Sequence, residues 1–253
     1  MAIATFRFYE ELNDFLAPAH RRHEFAAPCA RAATTKHMIE ALGVPHTEVE
    51  LILVNGESAG FDRLLADGDR VAVYPKFESI DITPLLRVRE RPLRTVRFVA
   101  DAHLGGLARL LRMAGFDTLY DNAFADADIA AIAERDGRIV LTRDRELLKR
   151  RNVSHGCYVR SLKPAQQLRE IFERLDLAAA VEPLRLCLAC NAPLRPIDRE
   201  RVADRVPPGV WRRHERFSTC DRCNRVFWEG SHWKRMSALL AGLAAPETAT
   251  TVG

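Results

Sequence analysis

No stretch of the 253-residue chain approaches the roughly 20 consecutive apolar residues that a helix needs to cross a bilayer, so the sequence offers no membrane span. The N-terminal MAIATFRFYEEL lacks the basic region and apolar run of a secretory leader, and a cytoplasmic location is the default expectation. There is no internal repeat, which argues against solenoids and propellers. Cysteine is sparse, with six residues, and in a reducing compartment these are not expected to form disulfides. What is present suits an ordinary globular protein: 47% apolar residues, enough to build one large core or two to three small ones.

Charge is unevenly spread. Residues 1–80 carry 8 Lys/Arg against 12 Asp/Glu, residues 81–184 carry 18 against 15, and residues 185–235 carry 12 against 6. The N-terminal part is therefore acidic and the C-terminal part basic. A basic half points to a polyanionic partner, or else to a solvated arginine-rich surface.

The hydrophobic pattern separates the chain into segments. Over 1–80, TFRFY, EVELILVNG and GDRVAVYP read as strands, TTKHMIEALG as a helix capped by Thr34 or Thr35 and stopped by Gly43, and Asn55-Gly56 as a tight turn. Strands around one helix fit a small β-grasp, ubiquitin-like module. Residues 81–96, rich in arginine and with two prolines, read as a linker. Residues 97–182 alternate strand and helix, as expected for a parallel sheet with helices on both faces. Residues 183–235 hold the four paired cysteines, and 236–253 read as a helix end and frayed tail.

Two constellations carry chemistry. Ligands of open parallel sheets bind beyond the C-terminal strand ends. Asp101 ends the strand RFVA, and Asp144 ends RIVLTRD, which places both on one sheet edge. Asp126 and Asp128 open an intervening helix, Asp121 follows a short strand, and Glu146 lies two residues beyond Asp144. Carboxylates about 5 Å apart repel by roughly 3 kcal/mol per pair at an effective dielectric near 20. A hard cation such as Mg²⁺ or Mn²⁺ would relieve this, activate water and stabilise a leaving oxygen, which is the chemistry of a nuclease. The competing reading is that these acids are helix caps.

The second constellation is Cys187-x-x-Cys190 with Cys220-x-x-Cys223, a pattern that points to a structural Zn²⁺, the alternative being reduced, unligated thiols. The 29 residues between the knuckles imply an insertion, with Pro207, Pro208 and Gly209 at its tip. Arg212, Arg213 and Arg216, among other arginines, and Trp211, Phe217, Trp228 and Trp233 accompany the cysteines. Arginines suit phosphates and aromatics suit bases, although aromatics in so small a unit also serve as its core.

VADAHLGGLARLLRMAGFDTLYD, DADIAAIAERDGRIVLTRDRELLKRR, CLACNAPL and CDRCNRVFWEGSHW together resemble the PIN-like ribonuclease family named for the C-terminal RNase domain of the mutator-seven exonuclease. ALGVPHTEVELILVNGE and DGDRVAVYP resemble the ubiquitin-like module fused to it. The resemblance implies a β-grasp domain, a PIN-like α/β domain and a four-cysteine zinc ribbon. It further implies metal-dependent RNA cleavage. Asp101 would be the acid after the first strand. Asp126, or alternatively Asp128, would be the acid of the middle helix. Thr142-Arg143-Asp144 would be the Thr-x-Asp turn, and Glu146 the fourth acid. RNA would be held by the ribbon and basic surface, with Arg212, Arg213 and Arg216 as candidate contacts. The acidic N-terminal module would meet a protein partner or the basic part of the chain. It lacks the free Gly-Gly end of a ubiquitin-like sulfur carrier. A non-catalytic RNA-binding or adaptor protein, and a DNA-directed nuclease, are the alternatives.

Overall fold

The computed structural model describes residues 2–75 and 96–244. The connector expected over 81–96, apart from its last residue, and the tail from residue 245 lie outside the described residues. In chain order the elements begin β1 (Ile3–Phe8), β2 (Phe25–Pro28), α1 (Thr35–Ala41), β3 (Leu51–Val54), β4 (Glu57–Ala59), β5 (Arg70–Tyr74), β6 (Phe98–Ala100) and α2 (Gly105–Met113). They continue with β7 (Thr118–Leu119), α3 (Asp126–Asp136), β8 (Ile139–Thr142), α4 (Arg145–Leu148), β9 (Gly156–Tyr158) and α5 (Pro164–Leu175). The C-terminal elements are β10 (Leu194–Ile197), α6 (Pro208–Arg213), β11 (Phe217–Cys220), β12 (Val226–Trp228) and α7 (Ser231–Ala244). They fall into two compact units, Met1–Thr95 with Asp126–Tyr158, and Val96–Ala125 with Val159–Gly253.

The first unit contains a five-stranded sheet in the order β2-β1-β5-β3-β4, with β1 parallel to β5 and the other pairs antiparallel. This is the β-grasp arrangement that the pattern over 1–80 predicts. Alternation along β1 and β5 sends Phe6, Phe8, Val71 and Val73 to one face, where they bury with Ile39 and Ile52. Thr34 caps α1 by accepting from the His37 amide at 3.2 Å. Asn55 and Gly56, both at positive φ, make the β3–β4 turn. The same unit holds the segment from α3 to β9. Its β8 and β9 pair in parallel, Leu141 beside Cys157, and Tyr158 packs on the ubiquitin-like core.

In the second unit β6 and β7 pair in parallel, Phe98 beside Thr118. Leu107, Ala108 and Leu111 of α2 and Leu168, Ile171 and Phe172 of α5 recur at helical spacing and are buried. Each fully buried leucine or isoleucine there contributes about 1.5–3 kcal/mol. Gly105 and Gly106 owe their place to packing. A Cβ on Gly105 would lie 2.5 Å from the Tyr120 hydroxyl oxygen, and one on Gly106 would lie 2.6 Å from the Pro164 ring. Strands β10, β11 and β12 form a small antiparallel sheet around Val202, Val206 and Phe217. The insertion between the knuckles is folded, and Pro208 sits in the first turn of α6 where its missing N–H costs no hydrogen bond.

Candidate functional site

The four paired cysteines converge. Cys187 Sγ lies 3.5 Å from Cys223 Sγ, Cys190 Sγ lies 3.4 Å from Cys220 Sγ, and all four sulfurs fall within 4.8 Å of one another. A tetrahedral Zn²⁺ with bonds of about 2.3 Å requires sulfurs about 3.8 Å apart, so the quartet fits the ion and leaves no open position. An ion held by all four thiolates would have a structural role. The two knuckles have the same backbone. In each, the amide of the residue after the second cysteine donates back to the first: Asn191 to the Cys187 carbonyl at 2.9 Å and Asn224 to the Cys220 carbonyl at 2.8 Å. Both asparagines adopt positive φ, which asparagine tolerates better than most residues. Cys-x-x-Cys-Asn occurs twice in the sequence and was readable there as one turn used twice.

Each knuckle is also gripped by an arginine. Buried Arg112 donates from Nη1 to the carbonyls of Leu188 at 3.2 Å and Ala189 at 3.0 Å, and from Nε to Thr118 at 2.9 Å. Arg205 donates from Nη2 to the Asn224 carbonyl at 2.7 Å and its side-chain oxygen at 2.8 Å. Four thiolates around Zn²⁺ carry a net charge of −2, which two guanidinium groups oppose. Burial lowers the Arg112 pKa, against the upward pull of Cys187, Cys190 and Asp117. Burial pushes the Cys187 thiol up to about 12. At Cys220 burial is outweighed by hydrogen bonds from the Cys223 amide and from Cys190, and the thiol falls to about 7. Asn191 ties the first knuckle to β7, accepting from the Thr118 amide at 3.0 Å and donating to Asp117 at 2.5 Å.

The acids stand in different local settings. Asp101 directly follows β6, is 7% exposed, and its side chain makes no capping bond to the turn that it precedes. Asp144 is a cap: its Oδ1 accepts from the Glu146 amide at 2.7 Å, and its own amide donates to Thr142 Oγ1 at 2.9 Å. These two bonds make Thr142–Glu146 a closed turn at the end of β8. Asp126 opens α3 and lies 3.7 Å from Arg150, while Glu146, 78% exposed, accepts from Lys149 at 2.9 Å. Asp128 also lies in the first turn of α3. Asp126, Asp144 and Glu146 belong to the first unit and Asp101 to the second. Among the described residues, the one group of three or more His, Cys, Asp or Glu side chains with donor atoms close enough for a shared ion is the cysteine quartet.

Around the ribbon, Arg212 and Arg213 lie in the last turn of α6, and among the described residues neither meets a carboxylate. Arg216 pairs with Glu229 at 3.0 Å. Phe217 belongs to the ribbon core, and Trp211 packs against it with Arg199 stacked 4.4 Å above its ring. A cavity of about 230 Å³ is lined by Met113, Leu188, Phe227, Trp228, Trp233 and Met236.

No helix among the described residues is long and apolar enough to cross a membrane. No curated protein matches the chain. Two crystal structures of the small archaeal modifier protein 1 of Haloferax volcanii match at 21% and 19% identity. They cover 30% and 31% of this chain and 100% of theirs, each with a TM-score of 0.25. The Mut7-C ubiquitin family matches residues 1–81 and the Mut7-C RNAse domain family residues 96–240. With its ubiquitin-like fold, parallel strands and cysteine quartet in place, the chain belongs to the Mut7-C RNAse domain family.

Proposed function

We propose that the protein is a metal-dependent ribonuclease. The match of residues 96–240 to an RNase domain, a span that holds Asp101, Asp126, Asp144 and Glu146, carries this reading. The donor chemistry supports it. All four offer carboxylate oxygens, the ligands of Mg²⁺ and Mn²⁺ rather than of softer ions. Asp101 and Asp144 each follow the C-terminal end of a parallel strand, where such sheets bind ligands. The ion, when bound, would lower the pKa of water and offset charge at the phosphate.

The protein's own contribution is positioning. Thr142 holds the Asp144 amide, and the Glu146 amide holds the Asp144 carboxylate, so one carboxylate oxygen is directed by the backbone and the other remains to meet a cation. Arg150 beside Asp126 and Lys149 beside Glu146 place cations next to those acids that can turn to a phosphate. Arg212 and Arg213 would hold the RNA backbone. The cavity beside Trp228 supplies apolar aromatic walls for an unpaired base, a contact worth about 1–3 kcal/mol. Zn²⁺ at the cysteines would fix the ribbon that carries these groups. The acidic ubiquitin-like module offers a surface for a protein partner, and the protein would act in the cytoplasm.

A second reading, RNA binding without catalysis, is favoured by the local partners that Asp126, Asp144 and Glu146 already have. Cleavage of structured and single-stranded RNA, and of matched DNA, with Mn²⁺ and then with EDTA separates the readings. The nuclease reading predicts RNA cutting that EDTA abolishes, and an Asp144→Asn variant that binds RNA without cutting it. RNA binding without cutting by the unmodified protein supports the second reading, and DNA cutting supports a different substrate.

A further inference from the structure

The ubiquitin-like fold has no evident task in the chemistry above, yet it shares a compact unit with the segment that carries Asp144. We infer that it braces the Thr142–Glu146 turn, with Arg145 as the positioning residue. The inference rests on the reading of Asp144 as a metal-holding carboxylate.

Arg145 lies between Asp144 and Glu146 and is committed to the N-terminal module. Its Nη1 donates to the Phe15 carbonyl and its Nη2 to the Asp14 carbonyl, both at 3.3 Å. These carbonyls end the 3-10 helix Glu10–Phe15, where the peptide dipoles present partial negative charge to a cation. The guanidinium also lies 5.0 Å from the Phe15 ring centre and 5.7 Å from that of Tyr158, while the two rings meet edge to face at 5.2 Å. One side chain thus joins two carbonyls and two aromatic rings across 130 residues of sequence.

Two more ties hold the same segment. The Tyr158 amide in β9 donates to Glu48 Oε1 at 2.7 Å, and Glu48 is buried. The Val153 carbonyl lies 2.9 Å from His46 Nε2, whose Nδ1 lies 2.7 Å from Glu40. Strand β9 is registered against β8, with Tyr158 beside Thr142, so the ties at β9 reach the start of the turn while Arg145 holds its middle. Fixing the Arg145 backbone fixes the two peptide groups on either side of it. One of these supplies the Glu146 amide that aims the Asp144 carboxylate. Misplacing a metal-holding oxygen by about 1 Å can cost about 100-fold in rate, so a brace of this kind bears directly on turnover.

The test uses the full-length protein with Arg145→Ala and Arg145→Lys, and Asp144→Asn in parallel. Amide hydrogen exchange reads the turn, and RNA cleavage at saturating Mn²⁺ reads kcat and KM. For Arg145→Ala the brace predicts exchange at Glu146 and Lys149 faster by about tenfold, kcat lower by about tenfold or more, and KM for RNA within about twofold. Arg145→Lys keeps a cation over the rings but loses the planar fork, and falls between. Unchanged exchange in both variants overturns the brace. Faster exchange with full kcat, or a rise in KM alone, overturns the positioning role of Arg145. Wild-type cutting by Asp144→Asn would sink the catalytic reading instead, and the exchange data would still judge the brace.

Discussion

Arg112 Nη1 donates to the carbonyl of Ala189 at 3.0 Å, placing a buried positive charge inside the turn that presents Cys187 and Cys190. An acceptor carbonyl on each side of the guanidinium and the cysteine turn beside it make this residue a support of the quartet that could hold a metal ion.

Arg112→Met should therefore act twice. The carbonyls of Thr118, Leu188 and Ala189 lose their donor, at a cost of about 1–3 kcal/mol in denaturant unfolding. Loss of an outer partner should also weaken Zn²⁺ retention by about 10–100-fold in chelator competition. A variant with unchanged stability and unchanged retention would show that Arg112 is incidental.

Zinc binding should weaken as the solution is acidified. Burial holds the Cys187 thiol up at about 12, so the ion must displace its proton, and lower pH favours the protonated, metal-free form. Competition titrations from pH 8 to pH 6 should show affinity falling steadily, and Cys220→Ser should release the metal throughout. Affinity independent of pH would contradict thiolate ligation.

The β-grasp unit contains its own pH-sensitive tie. Hydrogen bonds from the Ala66 amide and, against burial, from Asn55, with Arg63 nearby, hold the Asp69 carboxyl below its usual range. A depressed folded-state pKa stabilises above the unfolded value near 3.9, and that stability is lost as pH falls through the folded value. Asp69→Asn should cost about 1–3 kcal/mol at pH 7, with the difference from wild type shrinking below about pH 4. An equal difference at pH 7 and pH 3 would rule out the charged form as the source.

Gly43 stands at φ +106°, and a Cβ there would lie 2.8 Å from the Phe15 carbonyl oxygen. That oxygen is also an acceptor for Arg145. Gly43→Ala should lower stability by about 1–3 kcal/mol through backbone strain and displacement of Phe15. Hydrogen exchange should rise at Glu146 as well as near residue 43. A destabilisation that leaves Glu146 protected would separate the two.

Short-range features were legible in the sequence because their causes are local. The Thr34 cap, the Asn55-Gly56 turn and the glycine stop at Gly43 each need only a few neighbouring residues, and each lies where the pattern predicts it. The cysteine quartet was legible because two tight turns of equal spacing allow few alternatives. The landing of Arg145 on Phe15 was not, since nothing near residue 145 encodes a partner 130 positions away. The reach of Arg112 to residues 188 and 189 was hidden for the same reason. The cause of the Gly105-Gly106 pair, Tyr120 and Pro164 packed against it, lies at residues distant in sequence and exists only in the folded chain. From sequence, a cap at Asp144 competes with a metal role; in the structure the cap occupies Oδ1 and is compatible with either.

The most direct test of the nuclease account is a double-mutant comparison of Mn²⁺-dependent RNA cleavage by Asp101→Asn, Asp144→Asn and the two together. Groups that serve one catalytic step act as a unit, so each single variant should lose about as much activity as the double. Losses that multiply in the double variant, or full activity in either single one, would contradict a common catalytic role.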